Sequence, residues 1–353
     1  MTGREHTAAE GLAGPRGRRA RRLSHGRMAA WAAAIGAALA GTGSHARGQG
    51  FDLDPFKPAA TGTGYICEES ARTLPRGAVE VATALGYSFR PLVVRDQQNG
   101  GIEGDIVALR WSAYVTASYG LLDRVDVGAR LPVVLAQGGR VAVDLSGTGG
   151  VPRHPAAPAL GDLDLLARVR LAGPAGAHGL RLTLTAPLGL PVGDPDALTG
   201  TGRVSFRPRL IGGWDGPRLS LAISAGYEFR QKTEVPGSTY VVGRAVGVGV
   251  GLSLVAVPGP LGFLDTLTVL AEASASLGLA QPETGLPATP TQAMVGARAR
   301  VGRGFSIQAA VGTGLNGAVG SPRFRALLTV TRAWDAPVTP GPGSPSLGSA
   351  VAP

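Results

Sequence analysis

Hydrophobic and polar residues alternate with a period of two along most of the chain from residue 76 onward. A period of two places successive side chains on opposite faces of a β-strand, whereas a helix repeats every 3.6 residues. In the first such segment Val79, Val81 and Leu85 share one face, and Glu80 and Arg90 lie on the other. The pattern predicts twelve strands, at about 79–90, 107–119, 125–135, 163–171, 180–190, 203–214, 218–230, 240–256, 264–280, 290–302, 305–315 and 323–334.

The connections between these strands alternate in length. Short ones lie at 122–124, 173–179, 214–217, 258–262 and 302–304, and longer ones at 96–104, 137–160, 193–202, 231–239, 281–289 and 316–322. An even number of strands with short turns at one end and long loops at the other is typical of outer-membrane barrels. We therefore expect an all-β fold, a transmembrane antiparallel up-and-down β-barrel of about 12 strands over residues 76–334.

Aromatic residues collect at the two ends of the predicted strands. Those near the long loops, the outer rim, are Tyr87, Phe89, Tyr227, Phe229, Tyr240 and Phe324; those near the short turns, the periplasmic rim, are Tyr119, Trp214, Phe263, Phe305 and Trp334. Val, Leu and Ala fill the middle of the apolar faces. Two aromatic belts around an aliphatic band suit a bilayer, because amphipathic rings prefer its interfaces. A periplasmic β-sandwich with aromatic edges is the alternative.

Both ends of the chain differ from the barrel region. An arginine-rich stretch, Arg16–Arg27, precedes 14 apolar residues, Met28–Gly41, and a small-x-small site at Ser44–Ala46. This order is typical of a secretory signal peptide over residues 1–46, although an uncleaved anchor and a start at Met28 remain alternatives. We expect residues 47–75 to form a periplasmic N-terminal segment and the Pro/Gly/Ser-rich residues 335–353 to be a disordered tail.

Composition narrows the class of protein further. Charged residues make up 16% of the chain, against roughly 25% in soluble domains. The formal net charge of +10 falls to +5 without residues 1–46, which hold seven arginines and two glutamates. We therefore expect no nucleic-acid partner. A single cysteine, Cys67, excludes an intramolecular disulfide framework, and no cofactor or metal is expected.

Several short motifs, in order, resemble a known family. They are Phe51–Pro58 (FDLDPFKP), Tyr87–Val94 (YSFRPLVV), Gly120–Arg124 (GLLDR), Gly128–Pro132 (GARLP), Leu160–Leu163 (LGDL), Thr199–Arg203 (TGTGR), Phe206–Leu210 (FRPRL) and Gly320–Phe324 (GSPRF). Together they resemble the N-terminal β-barrel of myxobacterial outer-membrane protein A family proteins, and transporter-like barrels grouped with a phenol-degradation pathway. The resemblance covers about residues 51–334 and implies a barrel in the outer membrane of a Gram-negative cell. Those relatives usually continue into a peptidoglycan-binding domain, and we do not expect peptidoglycan anchoring by the present sequence.

The face opposite the apolar one points into the predicted barrel and is rich in arginine. The candidate lumen-lining residues are Arg90, Arg110, Arg130, Arg168, Arg170, Arg181, Arg203, Arg207, Arg209, Glu228, Arg230, Glu272, Arg298 and Arg300. With Arg325 this face has thirteen arginines against six acids, the other acids being Glu80, Asp126, Asp162 and Asp164. Such a wall predicts either a salt-bridged plug or a narrow pore that favours anions. Glycines and an alanine in the eighth strand, from Gly243 to Gly251, leave room beside one wall.

The residues favour a channel over an enzyme. Of the five histidines only His154 and His178 lie beyond the signal region, and neither sits on a strand face beside a serine, so a catalytic triad is not expected. We expect a passive porin or transporter-like channel with a weakly basic lumen; a structural barrel with a plugged lumen is the alternative. The expected partners are outer-membrane lipid and lipopolysaccharide, the barrel-assembly machinery, and small solutes or anions if a pore exists.

Overall fold

The computed structural model describes residues 50–95, 102–143, 152–176, 178–234, 241–260, 262–279, 289–302 and 304–334. All of them belong to the second of two compact units, Met1–His45 and Ala46–Pro353. The expected signal peptide over 1–46, the expected tail over 335–353 and Tyr240 lie outside the described residues.

Twelve antiparallel strands make up the fold, as the sequence predicts. They are β1 (Val79–Arg95), β2 (Ile102–Leu122), β3 (Val125–Gly138), β4 (Ala159–Leu160 and Leu163–Ala172), β5 (Gly179–Thr185 and Leu188–Leu190), β6 (Ser205–Phe206 and Arg209–Asp215), β7 (Leu219–Glu228), β8 (Ala245–Val257), β9 (Leu264–Gly278), β10 (Thr291–Val301), β11 (Phe305–Gly314) and β12 (Phe324–Trp334). A short hairpin, Thr233–Glu234 with Val241–Val242, and a 3-10 turn, Pro195–Ala197, lie in the long connections.

The sheet closes on itself. Each strand pairs with its neighbours along the chain, and β1 also pairs with β12, from Val79 opposite Trp334 to Phe89 opposite Phe324. A closed sheet satisfies the backbone hydrogen bonds of every strand and leaves no free edge, which is the condition for strands to cross a bilayer. The all-β, twelve-stranded barrel predicted from the sequence is therefore confirmed.

Prolines interrupt β5 and β6 without opening the wall. Pro187 and Pro208 have no N–H to donate, so each strand is divided where its proline stands. The proline carbonyl groups still accept, from the Arg207 N–H at 2.9 Å and from the Tyr227 N–H at 3.0 Å. The ladder between β5, β6 and β7 is thus continuous past both breaks.

Exposed apolar residues form the outer surface of the barrel. Along β1 the odd-numbered Val81, Leu85 and Phe89 are exposed, while the even-numbered Ala82 and Ala84 are buried. The same alternation runs through the other strands, so apolar side chains face outward and polar ones face the lumen. No helix among the described residues is long and apolar enough to cross a bilayer.

Aromatic rings mark both rims. At the long-loop end the Tyr87 ring lies 4.9 Å from that of Trp111 and 6.4 Å from that of Phe324. At the short-turn end the Arg332 guanidinium lies 4.4 Å from the centre of the Phe305 ring and 5.4 Å from that of Trp334. An arginine beside rings at an interface keeps its charge near water while its stem covers apolar surface.

The residues before β1 differ from the expectation. Residues 47–75 are expected to form a periplasmic segment, whereas in the structure Gly50–Ala78 fills the inside of the barrel. We call Gly50–Ala78 the inner segment. It forms no helix or strand, yet Phe51, Leu53, Ile66 and Ala71 are almost completely buried.

Candidate functional site

The inner segment runs through the lumen from one end to the other. Leu53 lies at the long-loop end, where its N–H donates to the carbonyl of Leu198 at 3.1 Å. Gly62 lies near the short turns, where its N–H donates to Glu80 Oε2 at 2.9 Å. The chain then folds back to mid-barrel at Ile66 before it descends to β1. The lumen is therefore occupied over its whole length.

Apolar side chains close the long-loop end. Phe51 and Leu53 pack with residues of β1, β2 and the long connections into one buried cluster. The other buried members of this cluster are Leu92, Ile106, Val107, Val143, Leu198 and Val242. Burial of this apolar surface holds the start of the inner segment beneath the loops.

The glycines of β8 make room for the inner segment. A Cβ atom added at Gly251 would come within 2.5 Å of the Tyr65 ring, and one added at Gly249 would collide with the Glu68 carboxylate. A Cβ at Gly247 would lie 2.9 Å from the Arg209 guanidinium. The glycines of this strand predict open space along the wall, whereas in the structure the side chains of Tyr65, Glu68 and Arg209 fill that space.

Carboxylates of the inner segment pair with arginines of the barrel wall. The Glu69 carboxylate lies 3.3 Å from Arg168, which is also bound by Asp126 at 2.7 Å. Asp54 lies 3.0 Å from Arg325. These pairs lie in a water-poor interior, where a charge without a partner is costly. The inner segment thus supplies acids that the wall lacks.

Asp164 of β4 is the most densely surrounded carboxylate of the lumen. It is fully buried and contacts three cations: Arg130 at 2.9 Å, Lys57 of the inner segment at 3.4 Å, and Arg207. Lys57 also pairs with Asp52 at 3.0 Å. One wall carboxylate therefore joins β3, β6 and the inner segment.

Wall side chains also hold the backbone of the inner segment. Glu272 Oε2 accepts from the N–H groups of Ile66, Cys67 and Glu68, at 2.9, 2.8 and 3.0 Å. Arg298 donates to the carbonyl of Tyr65 at 2.9 Å and to that of Gly64. These bonds satisfy polar backbone groups that have no strand partner.

Other predicted lumen residues lie nearer the ends. Arg110 donates to the Leu198 carbonyl at 3.1 Å, and Arg90 pairs with Asp105 at 3.0 Å. At the short-turn end Arg170 donates to the Asp123 carbonyl at 2.9 Å, and Arg181 pairs with Asp215.

The remaining predicted residues are partly or fully open to solvent. Glu228 and Arg230 pair with each other at 3.4 Å beside the long loops. Arg203 precedes β6 and Arg300 lies on β10, and both are exposed. The structure therefore does not bring Arg203, Arg230 or Arg300 into the ion-pair cluster around Asp164, whereas Glu228 lines a cavity beside it.

One small cavity lies inside the barrel beside the inner segment, and larger ones, of about 240 and 770 Å³, lie near the long-loop end. A cavity of about 100 Å³ lies between the inner segment and the wall, with Lys57, Arg207, Arg209 and Glu228 in its lining. At roughly 10–15 Å³ for each water molecule, this cavity has room for up to about ten waters. Among the described residues, the inner segment and the wall side chains occupy the rest of the space around it.

The sequence analysis missed the inner segment as part of the site. A signal was available in its charge: it has four acids, Asp52, Asp54, Glu68 and Glu69, within a region expected to stand outside an arginine-rich wall. The segment has no hydrophobic periodicity, so the alternation that predicts the strands does not predict where this segment lies.

The fold resembles those of solved outer-membrane proteins. The COG4313 outer membrane channel from Pseudomonas putida F1 aligns with a TM-score of 0.50 and 16% identity over 75% of this chain and 98% of its own. The KdgM porin aligns at 0.42 with 8% identity over 73% and 99%, and the NanC porin at 0.42 with 7% identity over 72% and 98%. No known protein family and no curated protein matches the sequence.

Identity this low shows a shared fold and leaves the activity open. The closed barrel, its apolar outer band and its aromatic rims meet the requirements of a bilayer on their own. The chain is therefore a twelve-stranded β-barrel of the cell outer membrane, and its own inner segment occupies the lumen.

Proposed function

We propose that this barrel is a passive channel which its inner segment closes, and which favours anions when the segment moves. The main support is that the acidic residues of the inner segment pair with arginines of the barrel wall. The inner segment has four acids and three bases, and three of its acids pair with wall arginines. Withdrawal of the segment would leave those arginines facing water, and rings of arginine select for anions.

The construction of the wall supports a removable occupant. Gly247, Gly249 and Gly251 keep one side of the lumen free of wall side chains, so that the inner segment, and not the barrel, fills the space. A barrel that is closed permanently is more simply filled by its own side chains, as small barrels are. The resemblance to transporter-like barrels carries the same expectation.

A structural barrel without transport is the second candidate. The density of buried contacts favours it, because Asp164 alone joins three cations and Glu272 holds three backbone N–H groups. No enzymatic role is proposed, since His154 and His178 lie exposed in connections. Lipopolysaccharide and the barrel-assembly machinery are proposed partners by virtue of the barrel alone.

Conductance in a planar bilayer distinguishes the two candidates. We expect wild-type protein to open rarely and a Glu68→Gln/Glu69→Gln variant to open more often, because two ion pairs that hold the inner segment are lost. Glu103→Gln, which neutralises an exposed carboxylate on β2, is the matched control and should behave as wild type. The absence of openings in every variant would favour the structural barrel.

A further inference from the structure

We propose that the barrel wall contains a binding subsite for the carboxylate group of a small organic anion, formed by Arg209, Ser224 and Ser274. In the closed state the carboxylate of Glu68 occupies this subsite. The three donors belong to β6, β7 and β9, whereas Glu68 belongs to the inner segment. The subsite is therefore built by the wall, and its present occupant comes from outside the wall.

The geometry fits a carboxylate. Glu68 Oε1 accepts from Ser274 Oγ at 2.8 Å and from Arg209 Nη1 at 3.1 Å. Its Oε2 accepts from Ser224 Oγ at 2.7 Å and from the same Arg209 nitrogen at 2.8 Å. Each oxygen thus receives one hydroxyl and shares one guanidinium nitrogen. A spherical anion such as chloride cannot fill both positions at once.

Strand register brings the donors together. Gly249 of β8 lies directly opposite Ser224 on one side and Ser274 on the other, so the two hydroxyls flank a residue without a side chain. A Cβ atom at Gly249 would collide with the bound carboxylate. Gly249 thus forms the base of the recess and the two serine hydroxyl groups form its sides. Their positions are fixed by the pairing of the wall strands and not by the inner segment.

When Glu68 is absent, the donors of the subsite lack a hydrogen-bond acceptor. With the inner segment in place, Ser224 and Ser274 are buried and Arg209 is less than one-third exposed. Removal of the Glu68 carboxylate alone therefore leaves these buried donors without their acceptor. Buried donors without an acceptor cost free energy, and a carboxylate is the acceptor for which these donors are already placed. This inference deepens the proposed function, because a channel that opens by withdrawing Glu68 exposes the subsite to permeating carboxylates.

The test vacates the subsite within the full-length, folded protein. In a Glu68→Ala variant we expect sodium acetate to raise the midpoint of thermal unfolding above that in sodium chloride at equal ionic strength, since a ligand that binds only the folded state stabilises it. Glu69→Ala is the matched control: it removes a neighbouring carboxylate, but its partner Arg168 keeps Asp126, so acetate and chloride should act alike. Equal midpoints in the two salts for Glu68→Ala would overturn the proposal.

Removal of the hydroxyl groups tests specificity. Glu68→Ala/Ser224→Ala/Ser274→Ala retains Arg209, so simple charge attraction persists while the two flanking donors are lost. We expect its affinity for acetate to fall about tenfold or more relative to Glu68→Ala. An unchanged affinity would show general attraction to a cation and contradict a built subsite.

A milder variant covers the case in which Glu68→Ala does not fold. Glu68→Gln keeps the volume of the side chain but places an amide among donors, so acetate should displace it and loosen the inner segment. Labelling of Cys67 by a maleimide should then accelerate in acetate relative to chloride. Acetate binding without any conductance would support the subsite and contradict the channel, so the two proposals fail separately.

Discussion

Single glycines decide what the lumen contains. Gly249 and Gly251 lie on the lumen side of β8, where the alternation of the strand would otherwise place two side chains. The space that a Cβ atom would fill at each glycine is taken by the Glu68 carboxylate at Gly249 and by the Tyr65 ring at Gly251. From the sequence alone, glycine on this face predicts open space, whereas in the fold the inner segment of the same chain occupies that space.

Substitution of one of these glycines should displace the inner segment. We expect Gly251→Val to assemble but to hold Tyr65 poorly, because even the first added carbon would come within 2.5 Å of its ring. The measurement is the rate at which a membrane-impermeant maleimide labels Cys67, the single cysteine, and we expect a faster rate than in wild type. Gly212→Val on the bilayer side, where the nearest atom is 4.0 Å away, should leave the rate unchanged.

The outward face of β8 imposes a different requirement. Val248 is exposed on the bilayer side and lies opposite Ala225 and Ala275 in mid-strand. Val248→Arg should destabilise the folded barrel by roughly 2–4 kcal/mol, because it places a charge near mid-bilayer. Urea titration of the protein folded in vesicles measures this cost, with Val248→Leu as the control. Stability equal to wild type would contradict the outward assignment of this face.

Among the elements, the strands follow the sequence closely and their ends do not. The predicted strands at 79–90 and 107–119 extend to Val79–Arg95 and Ile102–Leu122, because their hairpin continues beyond the membrane band. Period two reports a contrast between lipid and lumen, and that contrast fades beyond the bilayer. Prolines explain the other difference: the continuous strand predicted at 180–190 is divided at Pro187.

Strand β4 shows how one element fixes its neighbours. Asp164→Asn should lower the free energy of unfolding by about 3–5 kcal/mol, because removing one partner of a buried ion pair leaves uncompensated charges, here three cations. Asp265→Asn, at an exposed carboxylate of β9, is the control and should change stability little. Denaturant titration compares the two. If both variants matched wild type, Asp164 would not hold the cluster together.

At the scale of the whole molecule, two oppositely charged parts are joined in one chain. The alternation of polar and apolar residues predicts the arginine excess of the lumen face. It does not predict the acidic partners of these arginines, because the inner segment that holds those acids has no periodic pattern. The candidate site is therefore half predictable: its wall residues Arg130, Arg168 and Arg298 follow from strand parity, and their contacts with the inner segment do not.

The preference of the open channel for anions over cations is a property of the whole molecule. Arg207→Gln/Arg209→Gln should increase the frequency of openings, because Glu68 of the inner segment loses its arginine partner on the wall. It should also lower the anion-to-cation permeability ratio of the open state, because two lumen cations are removed. Reversal potentials under a salt gradient measure the ratio, and Arg300→Gln, an exposed arginine of β10, is the control. The preference should weaken as the Debye length shrinks from about 10 Å at 0.1 M to about 3 Å at 1 M. A wild-type preference for cations would contradict the proposal.

The passage of the inner segment through the lumen sets an order for assembly. Before β1 and β12 meet, the segment can settle sideways into an open, curved sheet; after they meet, it would have to thread end-on through a closed barrel lined by charged side chains. Sideways capture is the faster route, because it needs no broken ion pair along the way. Arg325 of β12 then finds Asp54 already in place when the last strand arrives. We therefore expect the barrel to be completed around an inner segment that is already in place.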